Sequence, residues 1–293
     1  MQRWRASIFL LGVFLTAGLA AATAFAQQGA EFVGLTSSVS MYYTDLIKLI
    51  TGDWQKYGEL FTVLQAEWFK PVFLAIIIAV PAVFALHYMI VGAKHFDHDG
   101  EQILFFSMYN RVVHFVAAVS FSLLVITGLL IIFGTYFGGG TFIRTARYIH
   151  LISAIIFAVP GLLMFLMWIK DMLPQVHDIA WMFILGGYLS KKKKPVPAGK
   201  FNAGQKMYFW FATVGGGVMA YSGYLIWSFG GPLDTVRIFT MIHNVLGMAI
   251  VAFYLTHVYM SVFAIAGSLQ SIKTGYKPKE EVDILHSRYK YNK

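Results

Sequence analysis

No cysteine occurs in the 293 residues. That absence excludes disulfides, thiolate-held iron–sulfur clusters, zinc–thiolate sites and thiol nucleophiles, and it leaves a haem no thioether anchor. Any cofactor must be held by His, Met or oxygen ligands. Charge is scarce as well. Only 13% of residues are Asp, Glu, Lys or Arg, against roughly 25% in an ordinary soluble domain. Carboxylates are the scarcer sign, 14 against 23 Lys and Arg, and the long apolar runs carry none in their centres. The net charge of +9 would suit nucleic acid if it formed one patch. Much of it instead flanks the apolar runs, where it fits membrane topology, so no nucleic-acid partner is expected.

What the chain has in excess is hydrophobic surface. Apolar residues make up 58% and the mean hydropathy is +0.63. Runs long enough to cross a bilayer, at about 20 residues each, are expected near 69–93, 112–136, 147–169, 206–229 and 236–266. The chain therefore reads as an all-α polytopic membrane bundle. Ahead of these runs, Arg3 and Arg5 precede an apolar stretch that ends in Ala24-Phe25-Ala26. This is the layout of a cleavable secretory signal over 1–26. Residues 27–67 then read as a small exported segment.

Loop charges orient the spans. The connection 170–206 holds Lys170, Lys191, Lys192, Lys193, Lys194, Lys200 and Lys206, whereas 230–235 has no cation and 137–146 has only Arg144. The positive-inside rule puts the lysine loop and the tail at 276–293 in the cytoplasm of a bacterial inner membrane. Within that loop, DIAWMFILGGYL at 178–189 is apolar but too short to cross, and an interfacial segment is expected.

Nine histidines are present. His95, His98, His177 and His286 fall in loops or the tail and read as bland. His87 reads as a helix-packing histidine. His114, His150, His243 and His257 fall inside spans, where an ionisable group is costly and usually functional. Span direction places His150 and His243 at the outer level and His114 and His257 at the inner level. His243 and His257 lie on one helix about 21 Å apart, at ~1.5 Å per residue. They project from nearly the same face. Two stacked imidazole pairs suit two bis-histidine haems. The alternatives are packing and proton relay, and a relay tends to need carboxylates that the spans lack. Ala118, Ala154, Gly247 and Ser261 follow the four histidines by one turn and are all small. Arg111 and Arg147 precede His114 and His150 by three residues, where a guanidinium can pair with a haem propionate or simply mark a span end.

The motifs RVVH at 111–114, RYIH at 147–150, KFNAGQKMYFW at 200–210 and TMIHNVLGMAIVAFYLTHVYMSVFAIAGSLQSIKTGY at 240–276 resemble one family. It is the membrane-embedded, b-type cytochrome gamma subunit of respiratory formate dehydrogenase. The resemblance covers about 108–280. It implies a four-helix di-haem core, here 108–275, with two haems b. His150 and His243 would ligate the outer haem, and His114 and His257 the inner one. Electrons would arrive from a catalytic alpha subunit through an iron–sulfur beta subunit and leave to menaquinone. Asn202 and Gly204, with His257, match the family's quinone site. The transmembrane helix at 68–93, with Pro71 and Pro81, is an addition to the four-span pattern. Rival readings are the haem subunit of a NiFe uptake hydrogenase or other molybdenum or tungsten oxidoreductase, a self-contained transmembrane reductase, and a cofactor-free transporter.

Overall fold

The computed structural model describes residues 57–291; the expected signal and most of the expected exported segment lie outside them. The chain is built from helices: α1 (Glu59–Ile90), α2 (Met108–Ile132), α3 (Gly140–Trp168) and the short α4 (Val176–Phe183). Next come α5 (Ala203–Trp210), α6 (Gly216–Ser228) and α7 (Leu233–Val262). The small α8 (Leu269–Thr274) and α9 (Lys279–Leu285) close the chain. Among the described residues, four helices are long and apolar enough to span a membrane: α1, α2, α3 and α7. The stretch expected as a further span, 206–229, is helical as well, as α5 and α6 joined through a π turn at Phe211–Gly215, but it is not among the four.

Local sequence explains where these helices start. Ser107 and Asn110 form a reciprocal capping box at the head of α2, which satisfies amide donors that the first turn leaves open. Asn202 and Gln205 do the same for α5. Helix α1 begins ten residues before the expected span and includes a π turn at Leu64–Trp68. The apolar signal starts at Phe69, whereas the helical backbone extends back through the more polar Glu59–Trp68.

The bundle is inside out by soluble standards. Ile126, Ile155, Val159, Leu162 and Val245 are exposed, as lipid-facing side chains must be. Three of its buried hydroxyls, on Ser120, Thr127 and Ser222, donate to carbonyls one turn back, on Val116, Leu123 and Val218. None of these three hydroxyl protons is thereby left unpaired in an apolar medium. Helix α2 packs on α3, α6 on α7, and α1 along α7. The core at mid-height is aromatic and aliphatic, with Phe73, Phe121, Val125, Ile250 and Val251 buried together.

The part that sequence did not reveal is a cap over one end of the bundle. Strand β1 (Gln102–Leu104) pairs antiparallel with β2 (Tyr276–Pro278). Gly275 makes that join possible. It sits at φ 92° with its missing Cβ against the carbonyl of Phe106, and its own carbonyl accepts from Phe105 and Phe106. Any side chain there would collide. Helix α9 then docks on the lysine loop through Val196 N to Ile284 O at 2.7 Å. Glu281 and Lys277 form a buried ion pair within the cap. Residues 276–291 are thus packed structure rather than a loose tail.

His286 needs correction on the same ground. It is 4% exposed and its Nδ1 lies 2.9 Å from the carbonyl of Gly199. Burial, with Lys277 nearby, pushes its pKa from the ordinary 6.5 down to about 3. An opened cap would take up a proton at His286 near 6.5, whereas the closed cap resists it until about 3. Closure is therefore fully favoured above 6.5 and weakens as pH falls through that window. Hydrogen exchange of 276–291, corrected for intrinsic rates, should quicken as pH falls from neutral, and His286→Gln should remove the dependence. An unchanged profile in His286→Gln would assign the effect to other groups.

Candidate functional site

Both expected histidine pairs form, each joining α7 to a second helix. His150 on α3 and His243 on α7 face each other with ring centres 6.4 Å apart. His114 on α2 and His257 on α7 lie 6.3 Å apart. One iron at about 2 Å from a nitrogen of each ring, the usual metal–imidazole distance, would put ring centres about 6 to 6.5 Å apart. The observed spacing fits a bis-histidine haem at both levels.

The outer pair has further supports. Thr127 Oγ1 lies 2.9 Å from His150 Nδ1 and 2.6 Å from the carbonyl of Leu123. Two acceptors cannot sit that close, so the hydroxyl proton points at the carbonyl and the imidazole donates from Nδ1. Nε2 is then left with its lone pair free, the form a metal requires. Ser222 repeats the arrangement: its Oγ lies 2.9 Å from His243 Nδ1 and donates to Val218. Each hydroxyl is followed by a glycine against the same ring. A Cβ on Gly128 would come within 3.4 Å of His150 Cε1, and one on Gly223 within 3.3 Å of His243 Cε1. Thr127-Gly128 and Ser222-Gly223 escaped sequence reasoning. The recurrence of a hydroxyl-glycine dipeptide in two spans was the available signal.

The inner pair is built differently. Tyr208 stacks on His257 with centres 4.4 Å apart and planes 18° from parallel. One turn before His114, Arg111 donates through Nη1 to the carbonyl of Lys273, and its buried Nε has no hydrogen-bond partner. An anionic oxygen would satisfy it. Arg147 is exposed at the other end of the bundle. Between the two levels lies an aromatic layer: Phe121 touches Phe157, Tyr208 and Tyr254.

The remaining expectations sort as follows. His87 has both nitrogens engaged, with the hydroxyl of Tyr259 at 2.5 Å and the carbonyl of Tyr188 at 2.9 Å, so it is a packing histidine. Gly247, expected to make room one turn from His243, instead receives Phe73 of α1. The glycines against the rings are on neighbouring helices.

Around FNAGQKM the structure gathers polar groups. Asn202 Oδ1 accepts from Gln205 N at 2.9 Å, so its carbonyl oxygen is committed to capping while its amide remains a donor. A Cβ on Gly204 would come within 3.1 Å of Trp181, so the space beside this glycine belongs to an indole. Lys206 is buried and bonds Asp178 Oδ2 at 2.7 Å. Asp178 Oδ1 and His177 Nε2 are buried without hydrogen-bond partners and lie 3.8 Å apart. Sequence reasoning passed over His177 and Asp178, because a loop near lysines gives no reason to expect burial.

Residues 105–275 match the model of a family described as prokaryotic cytochrome b561. The match spans more than half of the chain and includes all four paired histidines. The chain belongs to that family. Membership makes it a helical, multi-pass membrane cytochrome of the b type, and so implies haem b. Curated relatives of this chain include the cytochrome b556(Fdn) subunit of the nitrate-inducible formate dehydrogenase of Escherichia coli. The two are 27% identical over 193 residues, 61% of this chain and 86% of that one. The cytochrome b556 subunit of the formate dehydrogenase of Haemophilus influenzae is 25% identical, over 61% of this chain and 78% of its own length. The cytochrome b556(fdo) subunit of Escherichia coli is 22% identical, over 64% and 92%. Helix α1 precedes the family match and the folded tail follows it.

The buried pair beside FNAGQKM gives a direct test of this cytochrome's construction. Asp178→Ala leaves the Lys206 ammonium buried without a counter-charge, a loss of about 3–5 kcal/mol. The midpoint of thermal unfolding in detergent should drop sharply, and Asp178→Leu combined with Lys206→Met should recover most of it. Equal drops in single and double variants would show that the two charges are not coupled.

Proposed function

We propose that this chain is the membrane cytochrome b subunit of a formate dehydrogenase. It would accept electrons from an exported catalytic alpha subunit by way of an iron–sulfur beta subunit. It would deliver them to menaquinone at the end of the bundle that carries the lysine loop. The observation that carries the reading is the two histidine pairs, each at one-iron spacing, in a chain whose relatives bear that name. The positive-inside rule supports a bacterial inner membrane with the lysine loop and C-terminus cytoplasmic.

His150 and His243 would hold an outer haem b and His114 and His257 an inner one. The two groups, when bound, would supply one-electron relay centres at two depths. Thr127 and Ser222 fix the Nδ1–H tautomer, which orients the outer rings and raises their basicity. Arg111, with an unpartnered Nε, and Arg147, exposed at the opposite end, are placed to pair with propionates. Tyr208 holds the His257 ring by stacking and closes the inner site on one side.

For the quinone, the amide of Asn202 is a free donor toward a carbonyl oxygen, at the head of the helix that carries Tyr208 against His257. Gly204 acts indirectly: it lets Trp181 seat as an apolar wall. His177 and Asp178, with unpartnered atoms beside this segment, are suited to pass protons from the lysine-loop side. Neither the chain nor its relatives' names suggest formate chemistry on this subunit. A haem subunit of a NiFe hydrogenase or other molybdenum or tungsten enzyme would share the histidine geometry, and the relatives' names favour formate dehydrogenase over it.

Pyridine haemochrome assay of the purified chain should give two haems. His150→Ala and His243→Ala should remove one and the same haem, and His114→Ala and His257→Ala the other. A ratio near one, or His114 pairing with His243, would overturn the assignment. Thr127→Val should keep both haems but shift the redox potential of only the His150 centre, seen in a spectroelectrochemical titration.

The quinone site is tested by Asn202→Ser, which keeps the cap and removes the amide donor. One lost hydrogen bond is worth about 0.5–1.5 kcal/mol. Quinone affinity should therefore fall a few-fold to about tenfold, with haem reduction by the partner enzyme unchanged. Full-rate re-oxidation by quinone in this variant would move the site elsewhere.

A further inference from the structure

Outside the histidine sites, uncompensated positive charge gathers at a cleft of about 530 Å³ between the lysine loop and the cap. Lys94, Lys192 and Lys194 line it, with Ile184, Val196 and Leu285 as apolar wall, and no carboxylate. Lys94 is 7% exposed. Its ammonium donates to the carbonyls of Ser190 at 2.6 Å and Lys192 at 3.3 Å, which hold it in place but supply no counter-charge. Among the described residues none of the three lysines pairs with an acid. The nearby Glu280 is already bonded to Lys193. A buried cation held only by carbonyl dipoles retains a strong field, and three ammonium groups in one cleft attract a multiply bonded anionic oxygen cluster.

The position of the cleft selects the kind of anion. Helix α4 sits in the same loop and turns Val176 and Phe183 outward, each 87% exposed, with Ile179, Leu185 and Leu189 exposed beside them. The segment is too short to cross a membrane, and an apolar face of this kind buries itself at the headgroup boundary. The cleft beside it therefore opens at the depth where lipid phosphates lie.

We infer that the Lys94–Lys192–Lys194 cleft binds the phosphate of an anionic phospholipid, with the lipid's acyl chains lying along the exposed face of α4. The site would pin the lysine loop, and with it Trp181 and the Asp178–Lys206 pair, to the membrane surface. The inference does not rest on the quinone reading or on the identity of the partner enzyme.

The test uses the full-length chain in nanodiscs of phosphatidylcholine with a minority of phosphatidylglycerol, released into the gas phase for native mass spectrometry. Wild type should retain a phosphatidylglycerol that Lys192→Gln/Lys194→Gln loses, the retained fraction falling roughly tenfold or more. The control Lys191→Gln/Lys193→Gln removes the same charge outside the cleft and should retain the lipid. Lys94→Met, if it folds with its haem spectrum intact, should lose it as well. Equal loss in the two double variants would reduce the effect to diffuse surface charge and overturn the site. So would retention in both. Displacement of the lipid by inorganic phosphate, but not by short-chain phosphatidylcholine at equal concentration, would make the cleft a free-anion site and overturn the lipid assignment.

Discussion

An imidazole inside an apolar span must find a partner for each ring nitrogen, and that requirement organises the bundle. At the outer level, the hydroxyl of Thr127 or Ser222 takes one nitrogen and leaves the other facing its opposite number. The hydroxyls can do so because each is itself anchored to a carbonyl of its own helix. The two rings therefore lie opposite each other, 6.4 Å between centres, one from α3 and one from α7.

The pairing of the four histidines was legible because depth is encoded by chain position once span direction is known. Fourteen residues along one helix fix both separation and face, and loop lysines fix direction. What surrounds the ligands was not legible. The supports of His150 and His243 sit on other helices, at positions only three-dimensional packing brings near. Reasoning along the chain pointed to Gly247, one turn from His243, yet that glycine serves the contact with Phe73. Asn202 was read, by resemblance, only as part of a quinone site; its side-chain oxygen proves to cap α5, with the amide left as a donor.

The cap escaped notice for a different reason. Its residues are polar and short-ranged in pattern, so composition alone suggests a solvated tail. Burial of His286, Glu281 and Lys277 depends on pairing between segments almost two hundred residues apart, such as Gln102 with Pro278. Propensity carries no information about such pairing. The cap also packs Leu285 in one cluster with Trp181 and Ala203 of FNAGQKM, so the least predictable part of the fold shapes the most specific motif.

Helix α1 bears no ligand, yet it lies along α7, the one helix that donates an imidazole at both depths. Phe73 fills the notch at Gly247, where a bare backbone would be most prone to bend. The added helix thus behaves as a splint on a ruler. Electron tunnelling falls off exponentially with distance, so small flexing of α7 would scatter transfer rates widely. A stiff neighbour narrows that spread. With haems held as proposed, the segment that looks dispensable would set how uniform electron transfer is from one molecule to the next.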